Sequence, residues 1–465
     1  AYQEQKDADK AIDFADMLYL VARAIIEENP RARALQGSYA HVQIDEGQDI
    51  NPARLAIADW LGKGADSLVV VGDLRQSVYG FTGARPDLFK GRLDRGATLL
   101  TLPINYRSTG AVVDAGNKIA DGRDWNLGGA CKPAATAPAG EKVRAWKTET
   151  SQSEAAQVAG EIKARVDGGL PIADAKGRAN YACLVRTNAQ GAELEAGLVA
   201  RGLPVRVLGS HGGLWSTSIG RDILAYLRAA EGIAHDDLTR VANKPLRYLK
   251  RATVEDAVRW AKRTGESVVG KLRAQGDRAA YRLAQDLDRL ADYTWAERTD
   301  EVAEILIADL EEKAIESAER AASPDEDKRA TIEALADVAR EIGSVRAIEE
   351  QIEALKKIKD TDPAVEISTI HRAKGAEWTV VFTCGLGAEI LPHKKAEDIE
   401  EERRLFYVAT TRAKSVAILS QGAEEPSEFL VPFFEPEPED DGGEPVVVRD
   451  AEQSVPARVN AEAAQ

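Results

Sequence analysis

The chain has 465 residues, of which 44% are apolar, so it can bury a core and form about three domains. Its formal net charge is −16, but eleven acids and one base lie between Glu424 and Glu452 alone, which leaves room for a local basic groove elsewhere. The three cysteines form no CxxC pair, which argues against a disulfide framework or a zinc site and favours a reducing, cytoplasmic setting.

The first predicted elements alternate between helix and strand. A helix over residues 12–28 is followed by a strand at 40–45, a helix at 52–62 and a strand at 67–73. The alternation resumes with strands at 143–147, 181–186 and 204–209 and helices at 153–166 and 190–201. This pattern is typical of an α/β fold with parallel sheets. No apolar run approaches the ~18 residues of a membrane span, so no membrane partner is expected.

The character of the sequence changes after residue 217. From about Ser218 to Asp360 helical periodicity replaces the strand signals, and strands return at 365–370, 379–385 and 415–420. The pattern predicts an all-helical domain inserted into an α/β domain. The acidic, Pro- and Gly-rich segment at the end, residues 423–465, is typical of a solvated, disordered tail.

Two adjacent acids end the first predicted strand. The alternating apolar residues of this strand predict that it is buried. Asp45 and Glu46 close the stretch HVQIDE. One carboxylate there can bind Mg²⁺, which prefers hard oxygen ligands, and the other can act as general base on a water within hydrogen-bond reach. The alternative is a strand end with solvated acids, and a DE pair alone favours that alternative.

The second strand leads into a loop with polar and aromatic residues. In GDLRQSVYGFTGA, residues 72–84, Gln76 precedes Tyr79 and Phe81, and glycines lie between them. Gln76 can reach a phosphate or a water, and the two aromatic rings can stack on bases, each stack contributing ~1–3 kcal/mol. The alternative is that both rings belong to the core, which the neighbouring glycines and polar residues make less favourable.

These two stretches and three others resemble, in order, motifs of the UvrD/Rep/PcrA group of superfamily 1 DNA helicases. IDEGQD and GDLRQSVYGFTGA resemble the second and third motifs. LPINYRST (102–109) resembles the fourth motif. VEISTIHRAKGAEWTVVF (365–382) resembles the fifth, and EEERRLFYVATTRAK (400–414) resembles the sixth. The similarity extends over roughly residues 10–420, and five motifs in order are a specific signal.

The resemblance implies roles around ATP and Mg²⁺. Asp45 would coordinate Mg²⁺, and Glu46 would activate the hydrolytic water. Gln76 would sense the γ-phosphate, while Arg107 and Arg412 would act as arginine fingers. A finger contributes about 10³–10⁵ in rate because phosphoryl transfer depends on positioning and charge neutralisation.

Further roles implied by the resemblance concern the base, the ribose and DNA. Tyr106 would stack on the adenine, Glu377 would bond the ribose, and Gly375 would let the backbone approach. The residues that would face single-stranded DNA are Tyr79, Phe81 and His371.

The arginines of the sixth motif differ in their surroundings. Arg403 and Arg404 follow three glutamates, which predicts surface ion pairs on a charged helix face. Arg412 lies among small residues between apolar stretches, which predicts a buried charge.

The family's first motif, a glycine-rich loop ending in Gly-Lys-Thr or Gly-Lys-Ser, has no counterpart. That loop cradles the phosphates with its backbone N–H groups and its lysine. The nearest candidates, Gly62-Lys63-Gly64 and Gly270-Lys271-Leu272, lack both the preceding glycines and the following hydroxyl residue. The chain is therefore expected to be a fragment, a partner of a separate N-terminal half, or a decayed homologue, and to hydrolyse ATP poorly alone.

The prediction from the sequence is a UvrD/Rep-like 3′-to-5′ DNA helicase with an incomplete first motor domain. Its partners would be single-stranded DNA, duplex junctions and an N-terminal half from another chain. Two alternatives are a non-catalytic DNA-binding or regulatory homologue and the helicase arm of a helicase–nuclease. The expected units are the rest of the first RecA-like domain (1–98), the second RecA-like domain (99–215 and 362–422), the inserted helical domain (216–361) and the tail (423–465).

Overall fold

The structure is a computed structural model that describes residues 2–209, 213–232, 237–317, 326–359, 362–422 and 425–434. Its strands are β1 (His41–Ile44), β2 (Ser67–Val70), β3 (Ile104–Asn105), β4 (Lys132–Pro133), β5 (Arg144–Lys147), β6 (Tyr181–Val185), β7 (Val205–Val207), β8 (Val365–Thr369), β9 (Trp378–Thr383) and β10 (Ala413–Gln421). All strands predicted from the sequence are present, and β3 and β4 are additional short strands.

The helices fall into two groups along the chain. Those before residue 201 are α1 (Tyr2–Asp9), α2 (Phe14–Ile26), α3 (Pro30–Leu35), α4 (Pro52–Gly62), α5 (Pro86–Asp94), α6 (Gly110–Ala120), α7 (Ser151–Asp167) and α8 (Asn188–Ala200). Those after it are α9 (Ser218–Ala230), α10 (Leu238–Val241), α11 (Arg251–Thr264), α12 (Val268–Ala274), α13 (Arg278–Asp292), α14 (Trp295–Ser317), α15 (Glu326–Ile342), α16 (Val345–Lys357) and α17 (Ile399–Thr410).

The N-terminal region, residues 2–98, contains the parallel pair β1 and β2, with His41 opposite Ser67. Helix α2 begins with a capping box in which Asp13 and Asp16 each accept a backbone N–H of the other. The prediction that β1 is buried is wrong, because His41 and Gln43 are exposed and the other two residues are only half-buried. Within the described residues no third strand pairs with these two, so parts of both faces stay open to solvent.

The main sheet has six parallel strands in the order β5-β10-β9-β6-β8-β7. Strand β6 (YACLV) is buried at every position, as expected of a central parallel strand covered on both faces. Strands β7 and β8 are neighbours in the sheet, yet helices α9–α16 lie between them in the chain.

Helices α9–α16 share a core of their own. In α13 the buried residues recur at helical spacing on one face: Ala280, Leu283, Ala284, Leu287 and Leu290. In the ranges that the structure describes, no helix is both long and apolar enough to cross a membrane.

The first part of the acidic segment is not solvated as predicted. Residues 425–434 pack on the main α/β domain, where Phe429 and Phe433 are buried and each ring lies 5.9 Å from that of Phe406 in α17. Composition alone misled the prediction here, because the short apolar stretch FLVPFF interrupts the acidic residues. The rest of the predicted tail, residues 423–424 and 435–465, lies outside the described residues.

Candidate active site

The two acids after β1 lie on a tight, exposed turn. Glu46 has a left-handed backbone (φ 52°), and its N–H donates to Asp45 Oδ1 at 2.8 Å. The buried Gln48 donates from Nε2 to Glu46 Oε2 and accepts from the Asp73 N–H at 2.9 Å. Gln48 therefore connects the ends of β1 and β2, so that the carboxylate of Glu46 is held by a neighbour from its own loop.

A lysine from the far end of the chain reaches this turn. Lys374, which follows β8, forms an ion pair with Asp49 and lies 3.9 Å from Glu46 Oε2. Its ammonium also lies 4.8 Å from the centre of the Tyr79 ring. Burial raises the pKa of Asp49, and the hydrogen bond from Lys374 opposes that rise.

Gln76 and Arg412, predicted to act at the γ-phosphate, are in contact. Arg412 Nη2 donates to Gln76 Oε1 at 3.2 Å, while Gln76 Nε2 donates to Asp73 Oδ2 at 3.1 Å. The amide of Gln76 therefore connects the end of β2 with the residue that follows α17.

Arg412 is buried, as predicted, with 1% of its surface exposed. Its guanidinium donates to the carbonyl oxygens of Val408 and Ala376, and in the described part of the chain no carboxylate lies within 4.0 Å of it. Burial, followed by the charge of Arg107, lowers the pKa of Arg412 to about 10. A buried cation with only neutral acceptors fits a site for an anion such as phosphate.

The remaining residues predicted to bind the nucleotide lie around an ion pair. Arg107 Nε donates to Glu377 Oε2 at 2.7 Å, and Lys414 Nζ lies 2.9 Å from Glu377 Oε1. These cations hold the pKa of Glu377 below its usual range. Tyr106 beside them is 84% exposed, so its ring is free of core packing. Gly375 has φ 87°, a conformation that glycine adopts without strain.

The three residues predicted to face DNA form one group. The Phe81 ring packs edge-on against Tyr79 and His371 at 5.9 and 5.8 Å, and the Tyr79 hydroxyl donates to the His371 carbonyl at 3.1 Å. Phe81 is 74% exposed, whereas Tyr79 is half-buried. Burial lowers the pKa of His371 to about 4, so its imidazole is neutral at pH 7.

The prediction that Arg404 is a surface residue is wrong. Arg404 is buried, donates from Nε to the Ser77 carbonyl at 2.7 Å and pairs with Asp398 at 3.1 Å. Its neighbour Arg403 does pair with Glu400, at 3.3 Å. The helix face carrying Arg404 is covered by the N-terminal region, a contact that the local charge pattern does not reveal.

Neither glycine–lysine stretch considered from the sequence forms a phosphate loop. Gly62-Lys63-Gly64 spans the C-terminal end of α4, and Gly270-Lys271-Leu272 lies within α12, where the Gly270 N–H already donates to Ser267 Oγ. A phosphate loop needs backbone N–H groups at a helix N-terminus. Over the ranges that the structure describes, neither stretch provides that geometry.

The carboxylates of Asp45 and Glu46 could supply only some of the ligands of a Mg²⁺ ion. Asp45 and Glu46 supply two carboxylates, and the described residues contain no group of three His, Cys, Asp or Glu side chains that could hold a metal ion. One or two carboxylates completed by phosphate oxygens are nevertheless a usual magnesium environment. These two acids therefore fit a magnesium ion that arrives with a nucleotide.

The structure thus forms three groups from the predicted residues: Asp45 with Glu46; Gln76, Arg107, Glu377 and Arg412; and the aromatic group. Neither acid after β1 contacts Arg107 or Arg412 in the described part of the chain. Sequence reasoning overlooked Gln48 and Lys374, although both lie inside the quoted motifs.

Comparison with known proteins gives matches along most of the chain. The UvrD-like helicase C-terminal domain model matches residues 100–275 and 271–423, and the UvrD/REP helicase N-terminal domain model matches residues 1–94. The ATP-dependent DNA helicase PcrA of Staphylococcus epidermidis (strain RP62A) is 27% identical over 462 residues, and that of Staphylococcus aureus (strain COL) is 28% identical over 453 residues. Each match covers 90% of this chain and 60% of the relative.

Proposed function

Because the chain belongs to the UvrD-like helicase family, we propose that it is part of an ATP-driven motor that moves along single-stranded DNA and separates the strands at duplex junctions. The observation that carries the proposal is the contact between Arg412 and Gln76. It places a buried cation, which has no carboxylate partner among the described residues, beside a polar side chain from another α/β unit. The direction of travel, 3′ to 5′, rests on the resemblance of the motifs.

The proposed units follow the sheet order. Residues 1–98 would belong to a first RecA-like motor domain, and residues 99–215 and 362–422 to a second. The helical block, residues 216–361, would be an insertion in the second domain, a reading supported by the pairing of β7 with β8 on either side of it.

On the nucleotide side, each proposed role follows from charge and position. Asp45 would hold Mg²⁺, which when bound neutralises phosphate charge. Glu46, fixed by Gln48, would accept a proton from the attacking water. Arg412 would neutralise charge on the γ-phosphate, and Gln76 would detect that interaction because its amide bonds the guanidinium.

Arg107 and Glu377 would change partners when nucleotide binds. In the structure Arg107 pairs with Glu377. In the proposed roles Arg107 would contact phosphate and Glu377 would contact the ribose. Both side chains are partly exposed, so the pair contributes little stability and can separate at small cost. Tyr106 would stack on the adenine. Gly375 would leave the ligand room, because a Cβ built there has no atom of the described residues within 4 Å apart from its chain neighbours.

On the DNA side, Phe81 would stack on a base while Tyr79 and His371 support its ring from two sides. The link to the nucleotide would run through residues 76–81, since Gln76 at one end contacts Arg412. Aromatic stacking does not depend on which base is present, and this suits a motor that moves along DNA of any sequence.

The proposed motor needs a polypeptide segment that supplies the phosphate loop. Support comes from exposed apolar side chains in α2 and in the stretch before β3: Phe14 and Leu102 are each 87% exposed, and Ile26 and Leu100 are also exposed. Large apolar side chains that are exposed at several positions of one segment fit an interaction surface. The chain spans 60% of the length of the curated relatives that it matches.

Strand separation tests this function. The chain is produced together with the polypeptide encoded directly upstream, and duplexes with a 3′ or a 5′ single-stranded tail are offered with ATP and Mg²⁺. We expect separation of the duplex with the 3′ tail, and none with Arg412→Ala in the same complex. ATP-dependent separation that is unaffected by Arg412→Ala would contradict the proposed mechanism, and preference for the 5′ tail would contradict the direction.

A further inference from the structure

Helix α17 holds the loop that carries Phe81 at two points. Arg404 Nε donates to the Ser77 carbonyl at 2.7 Å, and one turn earlier Glu401 Oε1 accepts the Gly80 N–H at 3.1 Å. Gln76, just before this segment, contacts Arg412, just after the helix. Residues 76–80 are therefore attached to α17 and its C-terminal end at three successive places.

The contact between Glu401 and Gly80 depends on the absence of a side chain at position 80. A Cβ built on Gly80 would lie 2.4 Å from Glu401 Oε2, closer than real Cβ atoms approach an oxygen. Gly80 does not have a positive φ, so its backbone conformation does not itself require glycine. The requirement comes from the carboxylate of Glu401, which occupies the space that a side chain would need.

Phe81 directly follows the held residue. Its exposed ring packs edge-on against Tyr79 and His371, so its orientation also depends on the backbone that carries it. The loop ends with Gly83 in a left-handed conformation (φ 81°). The hydrogen bond from Gly80 to Glu401 therefore restrains the backbone nearest to the exposed ring.

We propose that Glu401 is a positioning residue that holds residues 79–83 in the orientation in which Phe81 meets DNA bases. The inference rests on the proposed function for the role of Phe81. It adds a mechanical connection, because the helix that holds this loop also leads to Arg412 at the nucleotide site. A shift of α17 on nucleotide binding would then move the aromatic loop directly through Glu401.

Two substitutions at position 401 distinguish the effect of the hydrogen bond to Gly80 from the effect of the negative charge. Glu401→Gln keeps an oxygen that can accept the Gly80 N–H, whereas Glu401→Ala removes it. Gly80→Ala displaces the Glu401 side chain from the other direction. The matched control is Glu400→Ala, which removes one negative charge from the same turn of α17. The Glu400 carboxylate accepts the Trp125 indole N–H at 2.7 Å and has no contact with Gly80 among the described hydrogen bonds.

The first measurement is amide hydrogen exchange of the full 465-residue chain, read from peptides covering residues 76–83. Loss of a hydrogen bond to a charged group should speed exchange at Gly80 about tenfold in Glu401→Ala and Gly80→Ala. Glu401→Gln and Glu400→Ala should exchange there like the wild type. Thermal unfolding of each variant shows whether the effect is local. Equal protection of Gly80 in Glu401→Ala and the wild type would overturn the proposal.

The second measurement is binding of a fluorescent oligothymidylate of about 16 nucleotides at fixed ionic strength. We expect about tenfold weaker binding in Glu401→Ala and in Gly80→Ala, and no further loss in the double variant, because both changes break one contact. Glu401→Gln should bind like the wild type. Additive losses, or Glu401→Gln as weak as Glu401→Ala, would contradict a positioning role. If exchange follows the expectation while wild type fails to bind, the positioning stands and the proposed DNA role fails.

Discussion

Arg412 Nη2 donates a hydrogen bond to Gln76 Oε1 across the boundary between the two α/β units, at 3.2 Å. The guanidinium is almost fully buried, and its other partners in the described ranges are backbone carbonyls. Burying a cation without an anion is unfavourable, which is reflected in the lowered pKa of Arg412. This environment fits the proposed role of Arg412, because an anionic ligand such as phosphate would offset the cost of burying the charge.

Removal of this guanidinium should abolish the motor activity of the completed complex. Arg412→Ala is expected to lower ATP turnover by about 10³-fold or more, the contribution of an arginine that neutralises a transferred phosphoryl group. Steady-state phosphate release measures this. Arg178→Ala, which removes an exposed arginine paired with Asp174, serves as the control and should leave turnover unchanged. A loss below tenfold for Arg412→Ala would exclude a role as arginine finger.

The exposed apolar surface predicts where the supplied segment binds. Phe14→Glu and Leu102→Glu should leave the free energy of unfolding within about 0.5 kcal/mol of wild type, because both side chains lie in solvent. Each should nevertheless prevent co-purification of the segment that carries the phosphate loop.

The control for these surface changes is Val431→Glu, at an exposed apolar residue of the C-terminal segment, residues 425–434. It should leave co-purification intact. Equal retention of the segment by all three variants would show that it binds elsewhere.

The ion pair between Lys374 and Asp49 predicts that truncating Lys374 to alanine lowers the free energy of unfolding strongly. Both side chains are mostly buried, so Lys374→Ala leaves an unpaired carboxylate, at a cost of about 3 kcal/mol. Asp49→Asn combined with Lys374→Ala should recover much of this loss, because no charge is left unpaired. Urea unfolding of the single and double variants measures both effects. Removal of the exposed pair Arg85–Asp87 is the control and should have no measurable effect.

Glu195 in α8 predicts a dependence of stability on pH. Burial raises its pKa to about 7, and one carboxylate oxygen accepts the Leu214 N–H at 2.9 Å. Because the folded pKa exceeds the unfolded value, the stabilisation is complete below about pH 4.5 and is lost as pH rises through 7. Relative to wild type, Glu195→Gln should therefore become more stable at pH 8 than at pH 4.5, by on the order of 3 kcal/mol.

Urea unfolding at the two pH values tests this expectation. Asp174→Asn, at an exposed carboxylate whose pKa is lowered by hydrogen bonds, is the control and should not reproduce the gain at high pH. A difference between wild type and Glu195→Gln that does not change with pH would contradict the prediction.

The sequence predicted the strands, four of the eight helices before residue 201 and the helical character of residues 218–360, because periodicity is a local feature. It also predicted the burial of Arg412 from its small neighbours. It did not predict that β1 is exposed, because a strand's burial depends on what covers it. Contacts such as Gly80 with Glu401 or Asp49 with Lys374 join residues more than 300 positions apart, and no local pattern records them.

The proposed function requires that Asp45, Glu46 and Arg412 form an ATPase site together with a phosphate loop from another polypeptide segment. The most direct test is phosphate release from ATP in the presence of single-stranded DNA, measured for the chain alone and after the segment encoded upstream is added. We expect little turnover for the chain alone and DNA-stimulated turnover after addition. This turnover should be lost again when the lysine of the supplied loop is replaced by alanine. Robust DNA-stimulated turnover by the chain alone would contradict it.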